Sequence, residues 1–110
     1  LRRRAETVAE RLFSSPDLGR FFDPARYEKA WNEIGITNGE GRLMRIDRLV
    51  DCGDALWVLD YKSSYPDTGR IGEYRDQVSE YCRAVSAVFP SRKVRGALVF
   101  SDASLVEVDA

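Results

Sequence analysis

The chain has 110 residues, 44% of them hydrophobic, which suffices for one compact domain with one modest core and is too little for two. Its 17 Lys and Arg against 18 Asp and Glu leave a net charge of −1, so no global field recruits nucleic acid or an anionic membrane, and any binding to DNA must be local or metal-assisted. Histidine is absent, which removes the commonest general base and transition-metal ligand and excludes Ser-His-Asp and Cys-His chemistry within the chain.

The chain opens at Leu1 on a charged segment and its only methionine is Met44, so it reads as an excised piece of something longer. Leu1 to Phe13 is predicted helical, with Ala5, Val8 and Leu12 three or four apart, and Ser14-Ser15-Pro16-Asp17 ends that helix. Leu18 to Phe22 is predicted as a short turn of helix before Asp23-Pro24, and Tyr27 to Ile36 as a strand. Asn38-Gly39-Glu40-Gly41 is a hairpin signal, because Asn and Gly tolerate the positive φ of tight primed turns.

From Arg42 to Cys52 the pattern alternates, with Met44, Ile46 and Val50 expected on one face and Leu43, Asp47 and Leu49 on the other. Gly53-Asp54 makes the next turn, and Ala55 to Lys62 reads as a buried strand that turns polar only at its C-terminal end. After a Pro66-Asp67-Thr68-Gly69 loop, Ile71, Tyr74, Val78, Tyr81, Cys82, Val85 and Phe89 recur at helical spacing, predicting a long amphipathic helix that ends before Pro90. Val94 to Phe100 is a further strand, parallel to the third through a βαβ crossover, and Ser104 to Val108 a short edge strand. The expected class is α/β: a mixed sheet of four or five strands flanked by helices.

Cys52 and Cys82 lie in no CxxC pair and are expected to be reduced core thiols. No apolar run approaches the roughly 18 residues of a membrane span and no signal-peptide core is present, so the chain reads as cytoplasmic with no membrane partner.

Chemistry concentrates at the end of the third strand. Residues two apart in a strand share a face, so Asp60 and Lys62 project together, and a turn centred on Gly53-Asp54 sets Asp47 opposite Asp60. Antiparallel partners lie about 4.5 to 5.5 Å apart, close enough for two carboxylates to repel unless protonation, a cation or a metal compensates them. Oxygen ligands of this kind suit Mg²⁺ or Mn²⁺, with Lys62 serving an attacking water, and phosphodiester hydrolysis becomes feasible without histidine. An exposed Asp-x-Lys at a strand end is ordinarily a surface pair contributing about 0 to 1 kcal/mol. The facing Asp47 and the βαβ context set this one apart.

Three segments, in order, resemble the RecB-like nuclease branch of the PD-(D/E)XK superfamily. Arg45-Ile46-Asp47-Arg48-Leu49-Val50 resembles its G-x-x-D-R-L segment, Leu59-Asp60-Tyr61-Lys62-Ser63 its D-Y-K-[ST] segment, and Gln77 with Tyr81 its Q-x-x-x-Y motif. The resemblance spans Glu33 to Phe100 and implies a restriction-endonuclease-like core forming a single nuclease domain over residues 1 to 110. It implies that Asp47, Asp60 and the Tyr61 carbonyl are metal ligands, that Lys62 serves the attacking water, and that Gln77 and Tyr81 organise the site or contact the DNA strand. Glu33 corresponds to an acidic position on the first strand of related nucleases, and stands as either a further metal-site member or a solvated carboxylate. For Tyr81, on the apolar stripe of the helix, a core role is the alternative.

Such domains resemble the C-terminal nuclease units of helicase-nucleases of the exonuclease V or UvrD-like helicase type, in which a motor feeds single-stranded DNA to a Mg²⁺-dependent deoxyribonuclease. A fed substrate would account for the near-neutral charge. The alternative is a catalytically inactive nuclease-fold module that binds DNA or scaffolds a helicase partner. The sequence departs from the pattern in having Met44 rather than Gly at the start of the first segment, and in lacking the metal-binding histidine this branch carries on a helix further N-terminal. The expectation is that such a helix lies outside this segment, the alternative being a weak or inactive relative. The acid-free stretch with Arg83, Arg92, Lys93 and Arg95 reads as cations near a helix C-terminus.

Overall fold

The computed structural model describes residues 17–63 and 70–108. The predicted helix from Leu1 to Phe13 and the Pro66–Gly69 loop lie outside the described residues. The order is α1 (Gly19–Phe22), β1 (Lys29–Thr37), β2 (Leu43–Asp51), β3 (Leu56–Lys62), α2 (Ile71–Val88), β4 (Val94–Phe100) and β5 (Leu105–Val108). The strands form one mixed sheet in the order β1-β2-β3-β4-β5, antiparallel except for the parallel pair β3 and β4 that α2 connects. This is the α/β arrangement expected from the sequence.

The alternation of β3 and β4 divides their side chains between two cores. Leu56, Val58, Leu98 and Phe100 pack with Ile46 and Leu49 under Val78, Cys82 and Val85 of α2. Trp57, Leu59, Ala97 and Val99 pack with Val50, Leu18 and Phe21 on the opposite side. Gly96 is what lets α2 approach β4: a Cβ there would lie 2.4 Å from Val78 Cγ1 and 2.8 Å from Cys82 Sγ.

Three local features differ from the sequence reading. The β1–β2 connection is wider than a two-residue primed turn: Gly41 takes the positive φ, at 84°, while the Asn38 side chain accepts the N–H groups of Glu40 and Arg42 at 2.9 Å. Strict alternation along β2 also fails, because Ile46 and Leu49 join the α2-side core while Val50 joins the other, and Leu43 is 73% exposed. The cause is a local opening of the ladder: Asn32 pairs with Arg48 and Ile34 with Ile46, but Glu33 and Asp47 between them do not pair, and Glu33 has a φ of 53°. A non-glycine residue in that left-handed region is strained and persists only where its surroundings hold it. Finally, the last turn of α2 carries no basic residue, and Arg92 instead makes two hydrogen bonds to the Asp51 carboxylate, at 2.7 and 3.1 Å.

Both cysteines are free. Burial pushes the Cys82 thiol up to about 11, which makes it an inert packing group. Among the described residues no helix is long and apolar enough to cross a membrane.

Candidate active site

The β2–β3 ladder runs from Asp51 and Leu56 to Arg48 and Leu59, then stops. At the next position the Tyr61 N–H, which further ladder pairing would have engaged, donates to Asp47 Oδ2 at 2.8 Å. The opening at Glu33 and Asp47 thus turns the Asp47 carboxylate toward β3, where it accepts from the Tyr61 amide and is near enough to raise the Asp60 pKa. The register predicted from the Gly53-Asp54 turn is the observed one, since Leu49 pairs with Val58 and Arg48 with Leu59.

Asp60 is 6% exposed. Its Oδ2 is buried and accepts no hydrogen bond, although Lys62 Nζ stands 3.0 Å away as an ion pair outside the angular range of one. Burial raises the Asp60 pKa above the ordinary carboxylate value and the neighbouring Asp47 raises it further, while Lys62 opposes both. A buried carboxylate beside a second carboxylate, with one ammonium to offset both, is a place where a further cation lowers the energy.

Lys62 is positioned from α2. Its ammonium lies 4.3 Å from the centroid of the Tyr74 ring and donates to Gln77 Oε1 at 3.4 Å, while Gln77 Nε2 donates to the Tyr81 hydroxyl at 2.9 Å. Burial, reinforced by Asp60, holds the Tyr81 phenol above its ordinary pKa, so it stays protonated. The helical spacing of Gln77 and Tyr81 puts both on the face toward Asp60 and Lys62. Tyr81 also packs partly buried against the α2-side core, so it serves core and site together.

The structure therefore brings together Asp47, Asp60, Tyr61, Lys62, Gln77 and Tyr81. It does not bring in Glu33, whose exposed carboxylate is ion-paired with Arg45. Among the described residues no three His, Cys, Asp or Glu side chains converge on one point. The protein ligands on offer are two carboxylates. That set fits Mg²⁺ or Mn²⁺, which keep several waters and are usually held by one or two carboxylates, and the buried Asp60 oxygen, with no hydrogen bond beyond its ion pair with Lys62, supports the fit.

No model of a known protein family matches this chain, and no curated protein does either.

Two contributors escaped the sequence reading. Tyr74 was assigned only to the apolar stripe, yet it supports the lysine; an aromatic three residues before Gln77 on the same helix face was the available signal. Arg48, beside Asp47 in the sequence, is 7% exposed and directs Nε and Nη2 to the Phe21 carbonyl at 3.1 and 2.8 Å and Nη1 to Asn32 Oδ1 at 2.8 Å. It ties α1 to the β1–β2 pair next to the ladder opening, and nothing in the local sequence announces an arginine spent on a distant carbonyl.

Proposed function

We propose that this chain is a metal-dependent hydrolase of DNA phosphodiester bonds, the nuclease domain of a helicase-nuclease that processes DNA ends in recombination or repair. The observation that carries the reading is the buried Asp60 carboxylate beside Asp47, two acids with the single ammonium of Lys62 3.0 Å from Asp60 Oδ2. A divalent ion bound at the carboxylates would supply positive charge against the phosphodiester oxygens and acidify water. Asp47 and Asp60 hold the ion, joined by the Tyr61 carbonyl. The Tyr61 amide keeps Asp47 oriented. Lys62, braced by Tyr74 and Gln77, orients the attacking water and offsets negative charge on the phosphate in flight. Gln77 and Tyr81 present an amide and a protonated phenol toward the strand. The motif resemblance supports RecB-like chemistry on single-stranded DNA delivered by a motor, in the cytoplasm.

A second reading has an observation of its own. Glu33 is engaged by Arg45 and among the described residues no third carboxylate reaches the pair, which favours a module that retains the nuclease fold for DNA binding or for scaffolding a helicase without cleavage.

One assay separates them. The chain, alone and joined to its parent protein, is incubated with single-stranded DNA in Mg²⁺, Mn²⁺ or EDTA. Degradation that requires the metal and vanishes in Asp60→Ala, with the fold intact by circular dichroism, is expected for the hydrolase. Full activity in Asp60→Ala overturns the site, and binding without degradation in the parent selects the scaffold.

A further inference from the structure

The sheet side opposite α2 carries an aromatic surface at the same strand end. Tyr61 is 42% exposed there, and the half-buried ring of Phe22 lies beside it, centroids 6.3 Å apart and planes inclined by 30°. The Arg48 guanidinium sits 4.9 Å from the Phe22 centroid and 5.4 Å from that of Tyr27. Its hydrogen bonds go to the Phe21 carbonyl and the Asn32 side-chain oxygen, both neutral. Among the described residues no carboxylate is ion-paired with it. A buried guanidinium whose partners among the described residues are neutral therefore lies against a partly exposed aromatic surface.

The backbone of Tyr61 links this surface to the carboxylates. Its N–H is bonded to Asp47 Oδ2, so the ring cannot shift far from Asp47 without breaking that bond. In extended chain the Tyr61 side chain points to the opposite sheet face from Asp60 and Lys62. A polymer crossing the C-terminal end of β3 would meet carboxylates and lysine on one side and the aromatic surface on the other.

The geometry points to Tyr61 and Phe22 as a stacking platform for an unpaired base of single-stranded nucleic acid whose phosphate backbone crosses the end of β3. The inference rests on the hydrolase reading for the polymer's identity and adds where a base is held and why a single strand is preferred. A base inside a duplex has both π-faces covered by its neighbours, whereas an unpaired base can swing onto an aromatic ring. The charge of Arg48, which no carboxylate among the described residues pairs, favours a polyanion at that surface, and its burial keeps it there without a flexible side chain to order.

The test is binding of a short fluorescent oligothymidylate to the full chain with Ca²⁺ in place of Mg²⁺. Tyr61→Leu is expected to weaken binding about tenfold, the loss typical of one stacked base. Tyr61→Phe keeps the ring and is expected to bind like the unsubstituted chain. An abasic strand of equal length and charge is expected to bind weakly and to be indifferent to Tyr61→Leu. If Tyr61→Leu fails to fold, quenching of a 2-aminopurine strand by the unsubstituted chain reads stacking directly, and absence of quenching overturns the platform. Unchanged oligothymidylate binding by folded Tyr61→Leu, or no binding by the unsubstituted chain, also overturns it. Tyr61-dependent binding without metal-dependent cleavage overturns the hydrolase reading and leaves the platform standing. Cleavage with Tyr61-independent binding does the reverse.

Discussion

The backbone amide of Tyr61 and the Asp47 carboxylate, 2.8 Å apart, replace the next rung of the β2–β3 ladder. A side chain thus takes over from the main chain at the point where the sheet meets its candidate chemistry. Asp47→Asn keeps an acceptor for that amide and is expected to melt within a few degrees of the unsubstituted chain. Asp47→Ala leaves the amide to water and is expected to cost about 1 kcal/mol in denaturant unfolding. Both should abolish the rise in melting temperature expected of the unsubstituted chain in Mn²⁺; a rise retained in Asp47→Ala would exclude Asp47 as a ligand.

Burial of the Asp60 carboxyl sets a stability that depends on pH. Its pKa is raised in the folded state, chiefly by burial and then by Asp47 against the pull of Lys62, so its contribution is fully present below the unfolded value of 3.8 and is lost as pH rises through the folded value. Asp60→Asn removes that loss. In EDTA at neutral pH the variant is expected to melt higher than the unsubstituted chain, with the advantage shrinking as the pH falls toward 3.8. Thermal melts over a pH series check this, and a variant less stable at every pH would contradict it.

Asp51 has the opposite sign. Its hydrogen bonds from Arg92 and from the Gly53 amide lower its pKa below 3.8. Its contribution is therefore present above that value and disappears as pH falls through the folded one. Asp51→Asn is expected to destabilise at neutral pH and to converge with the unsubstituted chain in strong acid. Because the Arg92 side chain is still about a third exposed, salt should shrink the neutral-pH difference. Urea titrations at two salt concentrations give the readout.

Gly96 sets the seat of α2 on β4. With Val78 Cγ1 at 2.4 Å from the position of an added Cβ, Gly96→Ala is expected to destabilise by about 1 to 3 kcal/mol through displacement of the helix. Val78→Ala in that background should restore part of the loss, so that the double variant is more stable than the two single effects predict. Simple additivity would show that the helix adjusts without strain.

Tyr74 supports Lys62 through its ring face, 4.3 Å from the ammonium. Tyr74→Phe keeps the π-surface and is expected to preserve metal-dependent cleavage. Tyr74→Leu should lower kcat severalfold, with KM changed less, because it frees the lysine without touching the carboxylates. Equal activity in the two variants would remove Tyr74 from the positioning role.

Near-neutral charge and missing histidine first speak against nucleic-acid chemistry, but the paired carboxylates at Asp60 are what the proposed cation-dependent route would use. What the sequence determined by itself is governed by local rules. Period-two and helical spacing placed β3, α2 and β4, because burial of one face imposes that spacing whatever the rest of the chain does. The Gly53-Asp54 turn set the β2–β3 register up to Arg48 and Leu59, which leaves Asp47 and Asp60 next in line on the two strands, because a hairpin's register follows from its turn. The face shared by Gln77 and Tyr81 was legible for the same reason.

Only the tertiary structure decided the rest. Ile46 and Leu49 lie in one core because the ladder opens at Glu33 and Asp47, an event spread over two strands that no single segment records. Glu33 turned to Arg45, and Arg48 was committed to the Phe21 carbonyl 27 residues away. The bare oxygen of Asp60 exists only once β2, β3 and α2 have displaced water from around it. Spacing along a chain specifies which side chains can meet; the loss of water that gives a carboxylate its chemistry is a property of the assembled core.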